Sequence, residues 1–239
     1  MYHFIRQYMR SLALILFFGA GLVFMPTPSQ AQIDIKPGVR VGFNSSSFGG
    51  DTDQYNQALS GVLGQIGGSV DVESGRRSGF MVGGFAVVDF GGPFALQPEL
   101  RYIQRGYTID LTTSAGGQSF SADGTLKLDY IDIPVLARFE FPSGGITPHV
   151  IAGPTVGFNV TSEAEFEAQG QSQTTDQSDG TSGTDFGLEF GGGVDFGLGL
   201  GTVTIDARYG LGLSNIIDAN NTNLSVSNRA LMVTAGLTF

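Results

Sequence analysis

The sequence predicts an all-β fold, an eight-stranded antiparallel up-and-down transmembrane β-barrel behind a cleaved signal peptide. Three observations predict it: a glycine- and aromatic-rich composition poor in charge, a period-two alternation that recurs along the chain, and connections that alternate between short and long. Of 239 residues, 37 are Gly, 19 Phe and 7 Tyr, none is Cys or Trp, and only 14% are charged. An ordinary globular domain carries roughly 25% charged residues. Glycine costs about 1 kcal/mol per interior helical position, whereas Phe and Tyr suit strands, so an all-helical bundle is excluded.

The first element is the leader. Residues 1–31 read as a secretory signal, with Arg6 and Arg10 in the positive region, an apolar run from Leu12 to Met25, and Ser29-Gln30-Ala31 as a small-x-small cleavage site. About 14 apolar residues span only ~21 Å as a helix, too short for a ~30 Å hydrocarbon core, so an anchor is disfavoured. The barrel domain then runs over residues 32–239. Without cysteine it has no disulfide framework and no thiolate chemistry. The formal charge is −10, and beyond residue 31 ten basic residues face 22 acidic ones, a net −12. That balance argues against nucleic-acid binding, which needs a basic surplus.

Strands are expected, in order, at residues 35–44, 78–90, 94–109, 125–141, 146–161, 185–198, 201–215 and 228–239. Pro98, Pro134 and Pro154 fall inside three of them, and since a closed barrel has no edge strand, bulges are expected there. In the fourth strand the apolar phase slips: Leu126, Leu128 and Tyr130 occupy even positions, Ile131, Ile133, Val135, Ala137, Phe139 and Phe141 odd ones. A bulge just before Pro134 would reconcile both. The sixth strand sets Phe186, Leu188, Phe190, Val194, Phe196 and Leu198 against Asp185, Glu189, Asp195 and glycines. In the seventh, Val203, Ile205, Ala207, Tyr209, Leu211 and Leu213 alternate with Thr204, Asp206, Arg208 and further polar residues. The last opposes Leu231, Val233, Ala235, Leu237 and Phe239 to Met232, Thr234 and Thr238.

Gly91-Gly92-Pro93, Ser143-Gly144-Gly145 and Gly199-Leu200 form short turns, while 45–77, 110–124, 162–184 and 216–227 form long polar loops. This is the layout of an outer-membrane barrel, with short periplasmic turns and, for an even strand number, both chain ends in the periplasm. A soluble lipocalin-like barrel would turn its apolar face inward and need a polar exterior. The glycine-studded polar face suits a crowded lumen better.

With the apolar face toward lipid, the inward face carries Glu99, Arg101, Arg105, Asp132, Arg138, Glu140, Glu189, Asp195, Asp206 and Arg208. Charges in so narrow a bore are tolerated when paired, so a structural ladder of mixed sign is expected. His149, the only histidine beyond the leader, has no nucleophile fixed beside it by spacing and is expected as a hydrogen-bonded lumen residue. One His without Cys makes a zinc site improbable, and no cofactor is called for. Asp51, Asp53, Asp71, Glu73, Glu163, Glu165 and Glu167, with the polar tract 169–185, form acidic loops without an EF-hand pattern. Phe90, Phe94, Tyr102, Phe141, Phe158, Phe196 and Phe239 are candidates for interfacial girdles.

Two segments carry a family resemblance. Leu128-Asp129-Tyr130-Ile131-Asp132-Ile133-Pro134-Val135-Leu136-Ala137-Arg138-Phe139 and Pro148-His149-Val150-Ile151-Ala152-Gly153-Pro154 resemble the "Y-x-x-I-P-x-L-x-[KR]" and "aGP-x-x-G" segments of PorT-like outer-membrane barrels, typical of Bacteroidota. Gly38-Val39-Arg40-Val41-Gly42-Phe43-Asn44 and Pro98-Glu99-Leu100-Arg101-Tyr102 resemble further blocks of that family. The resemblance implies a small barrel in the outer membrane and little about activity. The expected function is a surface-exposed structural or interaction protein with a filled lumen and no enzymatic activity. The alternatives are an accessory of a type IX-like secretion assembly and a lipid-acting barrel enzyme. Expected partners are outer-membrane lipid, the barrel assembly machinery and an unknown surface or secretion partner. Phe239, ending the last strand, resembles the assembly signal of barrel clients.

Overall fold

The computed structural model describes residues 33–50, 54, 56–57, 60–61, 69–115, 118–141, 143–168, 171–199, 201–216 and 225–239. The signal segment, Asp51 and Asp53 lie outside them. Strands run over β1 Asp34–Gly50, β2 Ser69–Ser74, β3 Arg77–Asp89, β4 Phe94–Ala115, β5 Gln118–Glu140, β6 Ile146–Ala168, β7 Gln171–Asp176, β8 Thr184–Gly197, β9 Thr202–Gly212 and β10 Val226–Thr238. Eight of them close an antiparallel ring in the order β1-β3-β4-β5-β6-β8-β9-β10, and β10 pairs back to β1. Among the described residues no helix is long and apolar enough to cross a membrane.

Ten strands replace the expected eight because the long connections are themselves partly strand. The expected loop 110–124 is a hairpin in which β4 and β5 stay paired out to Ala115 and Gln118. β2 adds to the outer part of β4, and β7 to that of β6. These extensions do alternate, with Ile109 and Leu111 on β4 and Ala164 and Phe166 on β6 set between polar residues, but the runs are short and stand among acidic and polar residues that read as loop. The acidic-loop residues Glu163, Glu165 and Glu167 accordingly sit on β6, and the tract after Gln171 forms β7 and a 3-10 turn at Ser178–Gly180.

The three prolines do not produce bulges. Pro98, Pro134 and Pro154 each fall in a short gap of the β3–β4, β4–β5 or β5–β6 ladder, and register is identical on both sides of every gap. A missing N–H removes the local rung while the flanking rungs hold the strands in step. The one register shift of the β5–β6 pair lies between Asp129 and Tyr130, whose partners are Thr161 and Asn159, so the extra residue is Val160 on β6. The inward phase of β6 therefore changes from Thr155 and Gly157 to Ser162 and Ala164. On β5 the phase never slips: Leu128, Tyr130, Asp132, Leu136 and Arg138 are all buried inward. The apparent slip in sequence records a change in what the lumen contains.

At the end where the chain enters and leaves, the turns carry Gly91, Gly92, Gly144, Gly145 and Gly199 at positive φ, the backbone region that side chains disfavour. Outward positions are apolar and exposed, as with Val39, Val41 and Phe43 on β1, Phe186, Leu188 and Phe190 on β8, and Leu231 and Val233 on β10. Apolar residues outside and charges inside are the reverse of a soluble barrel.

A charged lumen beneath an apolar plug

Strand alternation projects every other side chain into the bore, and in its lower half most of the large ones are charged, beside buried Phe85, Val87, Ala95 and Leu136. Arg208 from β9 stands at the centre. It donates to Glu99 at 3.0 and 3.1 Å, to Glu189 at 2.9 Å and to Asp206 at 2.7 Å. Arg101 spans Glu189 at 2.5 and 3.1 Å and Asp132 at 3.1 Å. Arg105 continues upward to Asp132 at 2.5 Å and Asp185 at 3.5 Å. Downward, Arg138 pairs with Glu140 at 2.7 Å and with Asp195, and takes Gln97 Oε1 at 3.0 Å. Arg208, Arg101 and the four carboxylates around them, Glu99, Glu189, Asp206 and Asp132, are nearly inaccessible to solvent.

Of the ten ionisable residues read from sequence, all face the bore. Glu140 and Asp195, with side chains 21% and 14% exposed, line its lower mouth rather than its centre. A cavity of about 330 Å³ opens there, bordered by Lys36, Arg138, Glu140, Asp195, Thr202 and Thr204. Close fit needs small opposing residues: a Cβ on Gly193 would overlap Asp206 Oδ1, and one on Gly191 would come against Arg208.

His149 is buried between two partners. Arg138 Nη2, which can only donate, lies 3.0 Å from Nδ1, so Nδ1 accepts and Nε2 donates to Asp206 Oδ1 at 2.7 Å. Both ring nitrogens are thus committed to the network. Among the described residues no group of three or more His, Cys, Asp or Glu is placed to hold a metal ion.

The ladder read from sequence left out Arg40, Gln97 and Asp185, although Asp185 stood on the polar face of its strand. Arg40 pairs with Glu99 and stands 3.0 Å from Asp206, with its guanidinium over the Phe85 ring at 4.2 Å. Its signal was present, since Val39, Val41 and Phe43 alternate around it. Gln97 donates to Glu99 at 2.6 Å. Asp185 accepts from Asn228 at 2.8 Å and from Ser214 at 2.7 Å, tying the network to the upper rim.

Above Arg105 the lumen changes character. Met81, Ile103, Leu128, Tyr130, Ile216, Val226, Ala230 and Met232 form one buried apolar cluster, with Phe48 and Leu126 packed against it. Ile216 reaches in from the β9–β10 connection, held by Ile216 N–H to Val226 O at 2.9 Å and by Ser182 N–H to its own carbonyl at 2.9 Å. The bore is therefore filled twice, by ions below and by hydrocarbon above. Phe239, at the other end, is 66% exposed on the outer face and its N–H donates to Pro37 O at 3.0 Å.

The family described as "Outer membrane protein beta-barrel domain" matches residues 29–218. No curated protein sequence matches the chain. Among solved structures the chain is similar to Ail, the attachment invasion locus protein of Yersinia pestis, in complex with the heparin analogue sucrose octasulfate. That likeness has 17% identity, 86% of this chain and 99% of the other covered, and a TM-score of 0.39. It is similar to Neisserial surface protein A at 14% identity, with 84% and 95% coverage and a TM-score of 0.42. For the N-terminal β-barrel domain of Pseudomonas aeruginosa OprF, identity is 10%, coverage 86% and 100%, and the TM-score 0.33.

Proposed function

Because the chain belongs to the outer membrane protein beta-barrel domain family, we propose that it is a closed outer-membrane barrel that presents its raised rim at the cell surface as a structural or interaction module, without enzymatic activity. The observation that carries this reading is the doubly filled bore. A path along the axis meets the Arg208 cluster with its three carboxylates and then the plug around Leu128 and Met232. Conduction would require breaking buried ion pairs and displacing packed side chains, and eight strands leave no bypass. Planar-bilayer recordings of the purified barrel test it: no stable conductance is expected, and steady porin-sized currents would refute the closed bore.

The raised rim supports the interaction role. β4, β5 and β6 continue far above the apolar band, flanked by β2 and β7, and all six residues of β7 are exposed. In this reading the short turns and both ends of the mature chain face the periplasm, and the rim faces outward. The finer likeness to PorT-like barrels rests on the motifs at Leu128–Phe139 and Pro148–Pro154, which lie on the adjacent strands β5 and β6. Phe239 fits an assembly signal, since it ends a lipid-facing row on the strand that closes the ring. Deleting it should sharply lower insertion in cells while refolding in detergent survives; normal surface levels of the shortened chain would overturn that role.

A further inference from the structure

Beyond residue 31 the chain holds ten basic residues, and eight of them are ion-paired. Arg40, Arg101, Arg105, Arg138 and Arg208 are spent in the lumen network. Lys36 pairs with Asp34 and Asp89, Arg77 with Asp129, and Lys127 with Glu165. Only Arg76 and Arg229 have no carboxylate partner among the described residues. In a segment whose net charge beyond residue 31 is −12, two cations left unpaired on one face call for an account.

Both lie on the outer face of β1, from its two sides. Arg76, just before β3, donates to Ser45 Oγ at 2.8 Å, Ser45 O at 2.6 Å and Ser47 Oγ at 3.4 Å. Arg229, on β10, pairs in register with Ser47. Its guanidinium lies over Gly49, where an added Cβ would overlap it. Their backbones are two strand spacings apart, about 10 Å, with both charged ends over the strand between. The outward row of β1 thus reads Val39, Val41, Phe43, then Ser45, Ser47, Gly49. The first three are exposed apolar residues, and the last three form a shallow polar floor between two guanidiniums. The change occurs at the upper edge of the apolar band, where Phe80 on β3 and Leu231 on β10 are the neighbouring lipid-facing side chains.

We propose that Arg76 and Arg229 form a clamp for the phosphate headgroup of a lipid in the leaflet around the barrel's upper edge, with its acyl chains along Val39, Val41 and Phe43. Guanidinium groups match phosphate oxygens bidentately, and the Ser45 and Ser47 hydroxyls supply further donors. A soluble polyanion would not need the apolar row below the cations. A lipid uses both.

The test uses the mature barrel reconstituted in phosphatidylcholine vesicles with a minor fraction of phosphatidic acid, followed by detergent extraction and mass spectrometry of the retained lipid. Wild type is expected to retain phosphatidic acid about tenfold above its share in the vesicle, as two cations at a membrane surface allow. The Arg76→Gln/Arg229→Gln double variant should lose that enrichment, and Arg76→Lys/Arg229→Lys should keep part of it. Heat-modifiable gel mobility checks that each variant is folded. Ser47→Glu, which places a carboxylate between the two cations at a half-buried position on the outer face, should also abolish enrichment and serves if the double variant fails to fold. Enrichment unchanged in the folded double variant, or in folded Ser47→Glu, would overturn the clamp. Equal binding of glycerol 3-phosphate, with no dependence on acyl chains, would overturn the lipid as its occupant.

Discussion

The lower and upper halves of the bore solve one packing problem by opposite means. Below, Arg40, Arg101, Arg105, Arg138 and Arg208 interleave with Glu99, Asp132, Glu189 and Asp206. Above, Leu128, Tyr130, Met81 and Met232 fill the same kind of inward position with hydrocarbon. The two meet at Tyr130, whose ring lies 5.3 Å from the Arg105 guanidinium and whose hydroxyl accepts from Asn228 at 3.2 Å. A buried ion network is sensitive to the loss of any one member, because desolvated charges depend on their partners. A hydrocarbon plug loses only contacts and volume.

The largest effect should come from the ionic half. Arg208→Met leaves Glu99, Glu189 and Asp206 each short of a partner and is expected to destabilise the barrel by about 3–5 kcal/mol. The measurement is the urea midpoint of the folded band on unboiled gels. Adding Glu99→Gln should recover part of the loss, because it removes one of the stranded charges. A double variant no better than Arg208→Met would show that pairing is not what the cluster supplies.

In the apolar half, Leu128→Ala should cost about 2–4 kcal/mol through lost burial and a residual cavity. Leu128 is fully buried, and its neighbours belong to several strands of the ring. No second substitution that removes a charge should rescue it, and its cost should be the same at low and high salt. A marked salt dependence would mean that the plug and the network are not separate.

How much of this was legible in the sequence differs between the halves for the same reason. On β9 and β10 the lumen positions are mostly polar or small, so Asp206, Arg208 and Thr234 stood out against Ile205, Ala207 and Val233, and face and content agreed. On β5 the content changes midway. Leu128 and Tyr130 face inward into hydrocarbon, Asp132 and Arg138 inward into charge, and a reading that equates polar with inward takes this for a slipped strand. The prolines misled in a related way, because a missing rung was equated with a shifted register. Arg40 was hidden in a segment valued for its family likeness, and the rim strands were hidden because their short alternating runs, such as Glu163-Ala164-Glu165-Phe166, stand among acidic and polar residues that read as loop. The lipid-facing band, seen only by lipid, keeps one chemistry throughout and was the clearest signal.

The smallest effect belongs to the rim, outside both halves of the bore, where solvent screens each charge. The Glu165 carboxyl is held below its ordinary value of 4.5, first by a hydrogen bond from Lys127 and then by one from Ser172. The Lys127 ammonium lies 2.6 Å away and Ser172 Oγ donates at 3.0 Å. In the unfolded chain this carboxyl takes a proton at the ordinary value, so between the two values the unfolded state binds more protons than the folded one. The contribution of the pair is therefore present above that value and is lost as pH falls through the lower folded one. Asp176, lowered by its hydrogen bonds from Ser178, adds a slope of the same sign from β7. Lys127→Ala separates the two, because it releases Glu165 and leaves Asp176 untouched. The carboxyl resonance of Glu165, followed by NMR titration in detergent micelles, should move its midpoint upward toward the ordinary value in the variant. Global urea midpoints should change within the noise, as is usual for an exposed pair. An unmoved Glu165 midpoint would show that the rim pair does not hold in solution. A large fall in the urea midpoint would show that the rim is coupled to the bore, and that the boundary between raised sheet and filled barrel lies above Lys127.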